Sequence, residues 1–102
     1  MFTGFINNPN YLYRENALFG LKSIAMYLSH ETILKVSNQI IEMAKHEKVP
    51  SVLVLIIQTI NEFTQNSDDK PLISGAQGLY TSQQDHPDAD VSFYAKQYIQ
   101  AK

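Results

Sequence analysis

The residue pairs Tyr13-Arg14, Val52-Leu53 and Val91-Ser92 follow one another at a constant step of 39 residues, and much of the flanking pattern moves with them. Under the same shift Ala17, Ile56 and Ala95 superpose, as do Leu21, Ile60 and Ile99, while Pro9 falls on Lys48 and then on Pro87. A repeat of about 40 residues in a chain without strand signals is the mark of stacked helix pairs, each burying its apolar face only against its neighbours. Function in such a chain is expected in an extended surface that holds partners, not in a catalytic pocket.

Helical spacing supports this. Phe2, Phe5 and Ile6 read as the end of a helix whose beginning is missing, stopped by Asn7-Asn8-Pro9. From Asn10, the residues Leu12, Tyr13, Ala17, Leu18, Leu21, Ile24, Ala25 and Leu28 follow steps of three and four and predict a helix over 10–28. Ser29 is a suitable N-cap, with Glu31 in the first turn, and Ile33, Val36, Ile40, Ile41 and Met43 predict a second helix over 30–45. Val49-Pro50 breaks that pattern and starts another, because proline disfavours the helical region before it yet suits a first helical turn. Val52–Ile57 alone could pass for a buried strand, but the apolar run continues to Ile60 and Phe63 at helical spacing, so a helix over 50–65 is predicted. After Asn66-Ser67-Asp68-Asp69 the stripe over 69–83 is interrupted by Gly75 and Gly78, each costing about 1 kcal/mol against alanine, and is expected to be bent or frayed. Val91, Tyr94, Ala95, Tyr98 and Ile99 make a last helix.

These helices divide into a partial repeat over 1–28, a second repeat over 29–66 and a C-terminal repeat over 67–102, all within one domain. The expected fold class is all-α, an α-α superhelix of about two and a half antiparallel helix pairs. Turns at 7–9, 46–50 and 84–88 recur on the repeat step, so the side chains of 8–14, 47–53 and 86–92 should form a ridge along one edge.

Composition excludes several functions. Eight basic residues against ten acidic give a net charge of −2 with no basic stripe, which argues against a nucleic-acid partner. Cysteine is absent, removing disulfides, thiolate metal sites and thiol nucleophiles. The start has no secretory pattern and no apolar run is long enough to span a bilayer, so no membrane association and a cytoplasmic or also nuclear setting are expected. His30, His46 and His86 lack partners at metal-ligand or general-base spacing. Asp85, Asp88 and Asp90 lack the glycine and closing glutamate of a calcium loop and read as a solvated turn with helix caps. With no base near Thr81, Ser82 or Ser92 and no glycine-rich phosphate cradle, the expectation is a non-enzymatic chain without cofactor or metal.

Three segments carry a family likeness. Asn8-Pro9-Asn10-Tyr11-Leu12-Tyr13-Arg14 followed by Ala17-Leu18-Phe19, then Glu42-Met43-Ala44, then Asp88-Ala89-Asp90-Val91-Ser92-Phe93-Tyr94-Ala95 resemble the C-terminal repeats of the scaffold (A) subunits of protein phosphatase 2A, which are built of HEAT repeats. The likeness spans roughly 5–101 and is weakest over 67–84. It implies a right-handed solenoid whose within-pair turns grip the serine/threonine phosphatase catalytic subunit. Carried over by position, Asn10, Tyr11 and Arg14 in the first turn, Val49 and Ser51 in the second, and Asp88, Asp90 and Tyr94 in the third are the implied protein-binding residues. For Arg14 there is an internal alternative, an ion pair along its own helix or to Glu47 of the next repeat.

The chain departs from the HEAT pattern in several places. A basic residue commonly follows the ridge valine, yet only Arg14 fits, the equivalent positions holding Leu53 and Ser92. The middle turn lacks Asp-Pro and is one residue longer. A helical interaction module with a partner unrelated to phosphatases is therefore the alternative reading. An open-ended stack should also expose Phe2, Phe5 and the flank of the 10–28 helix, which predicts self-association through that N-terminal flank.

Overall fold

The computed structural model of the chain describes residues 9–65 and 67–100, so the expected helix end at Phe2, Phe5 and Ile6 and the turn residues Asn7 and Asn8 lie outside the described residues. Five α-helices are described: α1 (Tyr11–Ser23), α2 (His30–Ala44), α3 (Pro50–Gln65), α4 (Lys70–Gln83) and α5 (Ala89–Gln100). A 3₁₀ turn, Ala25–Tyr27, follows α1, and no strand occurs among the described residues. The repeat step reappears in three dimensions, since α1, α3 and α5 begin at Tyr11, Pro50 and Ala89, 39 residues apart each time.

Local chemistry sets each boundary. Asn10 caps α1, its side chain accepting from the Leu12 N–H at 2.9 Å. Ser29 caps α2 and Asp69 caps α4 in the same way, through Thr32 N–H at 3.2 Å and Leu72 N–H at 2.8 Å. The Val49 carbonyl accepts from Val52 N–H and Leu53 N–H to open α3, and Asp88 Oδ1 accepts from Asp90 N–H and Val91 N–H to open α5. Two boundaries differ from the pattern reading. The first helix ends at Ser23 instead of 28, because the chain tightens at Ile24 (φ −108°, ψ 10°) into the 3₁₀ turn, which still turns Ala25 inward. The stretch over 69–83, expected to be bent or frayed, forms one continuous helix from Lys70, with Pro71 in its first turn.

The helices pack in two layers. α3 lies between α1 and α5, while α2 and α4 pack on each other and on α3. A least extent of 19 Å agrees with two helices' thickness, each about 10 Å across. Flanked on several sides, α3 is apolar nearly all round, and Val52, Leu53, Ile56, Ile57, Ile60 and Phe63 are buried. Burying one such side chain fully contributes about 1.5–3 kcal/mol, so α3 is the spine of the fold. In α4, Gly75 lets the second layer close up, because a Cβ there would lie 3.3 Å from Ile41 Cδ1.

Candidate interaction surface

The turns before α3 and α5 and the capped start of α1 meet one edge of the molecule, because α3 packs between α1 and α5, with polar bonds joining α1 to α3 and to the turn before it. Arg14 reaches across to the second turn, donating from Nε to Glu47 Oε1 at 2.9 Å and from Nη2 to Glu47 Oε2 at 2.8 Å. Its Nη1 donates to the Pro9 carbonyl at 3.0 Å. Only 15% of the Arg14 side chain and 4% of the Glu47 side chain remain exposed. One turn further in, Ser51 Oγ donates to a Glu15 carboxylate oxygen, and Lys22 Nζ donates to Gln58 Oε1 at 3.2 Å. Of the two internal arrangements open to Arg14 in the sequence, along its own helix or to Glu47, the structure shows the pairing with Glu47.

Glu47 does more than pair with arginine. Its Oε2 also accepts from Lys48 N–H at 3.2 Å and Val49 N–H at 3.1 Å, so one carboxylate organises the whole second turn. Nothing in the periodic pattern marks this role; a lone acid two residues before a Val-Pro pair is the only available signal.

The other implied contact residues spread along the same edge. Asn10, Tyr11, Ser51 and Asp90 are exposed, and Ser51 and Asp90 occupy the same position of successive repeats, 39 residues apart. Val49 is half-buried against the core. Asp88 is half-buried, its carboxylate occupied in capping α5. Tyr94 is half-buried too, with its ring 6.2 Å from Tyr98 and 5.2 Å from Phe93. The structure therefore brings Arg14, Val49 and Ser51 together at the first gap between turns, keeps Asn10 and Tyr11 beside them on α1, and sets Asp88, Asp90 and Tyr94 apart at the third turn.

Between the second and third turns the edge is open. A groove of about 590 Å³ runs between α2 and α4 and reaches both turns. Ile41, Ala44, Leu53 and Leu79 form its apolar surface, Gly75 and Gly78 its low wall, and Lys45, Ser82, Gln83 and His86 its polar rim. Sequence reasoning missed it, since it arises from the approach of residues on three helices and two turns; the paired glycines of α4 were the one visible sign.

Comparison of the chain with protein families, with curated proteins and with solved structures finds no match to any of them. Among the described residues no three His, Cys, Asp or Glu side chains cluster as a metal site, and no helix is long and apolar enough to cross a membrane. Burial pushes the Tyr80 hydroxyl well above its ordinary value of 10.0 and also raises Tyr98, while the hydrogen bond from Lys45 lowers the Glu42 carboxyl. None of the three lines the groove.

Proposed function

We propose that this chain is a non-enzymatic scaffold of HEAT type, stacked as a right-handed solenoid, that docks the catalytic subunit of a serine/threonine phosphatase related to protein phosphatase 2A along its turn edge. The observation that carries the reading is the Arg14–Glu47 bridge, which ties the first turn to the second in register and leaves Tyr11 and Ser51 exposed on either side of it, with Asp90 exposed at the third turn. An edge of this kind presents side chains from successive repeats at fixed intervals, which suits a large protein partner more than a small substrate. Tyrosine at its end adds contact area at low entropic cost. The test is capture of the protein phosphatase 2A catalytic subunit by the immobilised chain. A Tyr11→Ala, Asp90→Ala double variant should lose most of the captured subunit while melting as the parent does. Failure of the parent chain to retain the subunit would overturn the phosphatase assignment and leave the module with a different partner.

The same stack also predicts association of one copy with another. Leu12 and Phe19 on α1 are 52% and 58% exposed, and Met26 in the 3₁₀ turn after it is 74% exposed. They stand one repeat step before Ser51, Gln58 and Gln65, and it is through Ser51 and Gln58 that α3 meets its neighbour α1. The flank of α1 is thus the repeat equivalent of a covered face. Sedimentation equilibrium should show a concentration-dependent dimer that Phe19→Ser weakens; a strict monomer for the parent chain at high concentration would rule this out.

A further inference from the structure

The repeat step makes a comparison across the groove. Arg14 moves by 39 residues onto Leu53 and Glu47 onto His86, so the ion pair that closes the first gap has the pair Leu53 and His86 as its counterpart at the second. Both line the groove. The second gap is open because the side chains that would bridge it have been replaced by a hydrocarbon and an imidazole.

Of its remaining polar groups, Ser82 is spent on the Leu79 carbonyl at 2.8 Å, while His86 and Lys45 offer donors. His86 Nδ1 accepts from Asp88 N–H at 3.0 Å, which puts the proton of the neutral ring on Nε2 and makes that nitrogen a donor. Glu47, which also lines the groove, has its oxygens occupied by Arg14 and two backbone N–H groups and brings no uncompensated charge. Lys45 is held only by a solvent-exposed contact to Glu42 at 3.1 Å, a kind of pair worth no more than about 1 kcal/mol and easily exchanged. The carbonyl ends of α2 and α4 also reach this edge, but the N-terminal ends of α3 and α5 end there as well and offset them. An apolar floor with donors on its rim fits a ligand that carries an apolar side chain beside an acceptor.

Gly78 points the same way. A Cβ at this position would meet nothing within 4 Å, and no described glycine has a positive φ, so neither packing nor backbone conformation requires glycine here. Its absent side chain nonetheless leaves the groove wall low.

We propose that the groove between the second and third turns binds a segment of a partner protein, with one large aliphatic side chain seated on Ile41, Leu53 and Leu79 and an adjacent carboxylate engaged by Lys45 and His86. The inference deepens the scaffold reading and rests on the turn edge being the docking surface. Its test uses no phosphatase, so the two can fail separately.

The experiment titrates the full chain, isotopically labelled, with a capped hexapeptide Gly-Ser-Leu-Asp-Ser-Gly at low salt and follows backbone amide resonances. Shifts are expected at Ile41, Ala44, Leu79 and Gln83. A peptide with alanine for leucine should give none, and one with asparagine for aspartate should bind about three-fold more weakly. Gly78→Leu, which fills the groove from a position where a Cβ clashes with nothing, should abolish the shifts without lowering the melting temperature, and Lys45→Gln should weaken binding as the asparagine peptide does. Absence of groove shifts at millimolar peptide, or equal shifts with Gly78→Leu or with the asparagine peptide, would overturn the proposal. A response to decanoate with none to any peptide would overturn it too, by assigning the groove to a free amphiphile. Peptide binding by a chain that does not capture the phosphatase catalytic subunit would uphold the groove and remove only the phosphatase assignment.

Discussion

The two gaps along the turn edge stand one 39-residue step apart in the sequence and are filled with opposite chemistry. At the first, Arg14 and Glu47 form a bidentate pair that is almost fully covered, backed by Glu15 with Ser51 and Lys22 with Gln58. At the second, Leu53 and His86 stand in the equivalent places and a groove takes the place of the bridge. Deeper in, the third repeat is held by apolar and aromatic contacts instead, with Val91 and Ala95 fully buried and Tyr80 packed 5.6 Å from Tyr98. A polar bridge fixes register because it is satisfied in one arrangement only, whereas an apolar contact tolerates small slips. The first junction is therefore built to be rigid, and the second leaves a surface available for recognition.

The sharpest way to break this contrast is to remove Glu47. Glu47→Ala removes the carboxylate facing a mostly covered guanidinium and frees two backbone N–H groups of the second turn, so unfolding in urea should show a loss of about 3 kcal/mol. Arg14→Ala should cost less, because the backbone N–H groups still hold the glutamate. A double-mutant cycle should return a coupling of about 2 kcal/mol; additive effects would mean that the bridge does not join the turns.

Much of this was visible in the residues, and the exceptions have identifiable causes. The 39-residue step located the starts of α1, α3 and α5, since each is set by a local signal, Asn10, Val49-Pro50 and Asp88, which the repeat carries along. The end of α1 was misplaced because Leu21, Ile24, Ala25 and Leu28 suit a 3₁₀ turn as well as another α-turn; over so short a run, three and 3.6 residues per turn give the same apolar face. The glycines of α4 were read as a cost to the helix, but Gly75 is explained by Ile41 on α2, a contact between helices that no single-chain pattern can display. The repeat step groups the turns that carry the candidate contact residues, and those turns follow one another along the chain at the same interval as the helix starts. Their division into exposed contacts and structural ones was not legible, because it depends on which carboxylate meets which N–H across the gap.

The aromatic contact that replaces the bridge in the third repeat can be tested by pH. The Tyr80 hydroxyl is buried beside the Thr64 hydroxyl without a well-formed hydrogen bond to it, and Thr64 donates its own proton to the Asn61 carbonyl at 2.9 Å. Burial holds its proton in the folded state after the unfolded chain has released it near pH 10.0. The folded form then binds more protons than the unfolded one, so stability is flat below that pH and falls above it, by up to about 1.4 kcal/mol per pH unit. Tyr80→Phe should flatten this alkaline limb and leave neutral-pH stability within about 1 kcal/mol of the parent, as only a poorly formed contact to the Thr64 hydroxyl is lost. An alkaline limb unchanged by Tyr80→Phe would place the titration elsewhere, with Tyr98 the next group to examine.

The smallest effects separate the two glycines of α4. At Gly78 an added methyl meets nothing, so Gly78→Ala should gain about 0.5–1 kcal/mol from the lower conformational entropy of the unfolded chain. At Gly75 the same gain is opposed by the 3.3 Å approach to Ile41 Cδ1. That atom ends a flexible side chain and can move by a few tenths of an ångström, so the net change should be smaller than at Gly78 and near zero. Urea unfolding of both single variants resolves the difference. Equal gains would show that the Ile41 contact does not hold the second layer at its present distance, and Gly75 would then share with Gly78 the role of keeping the groove wall low.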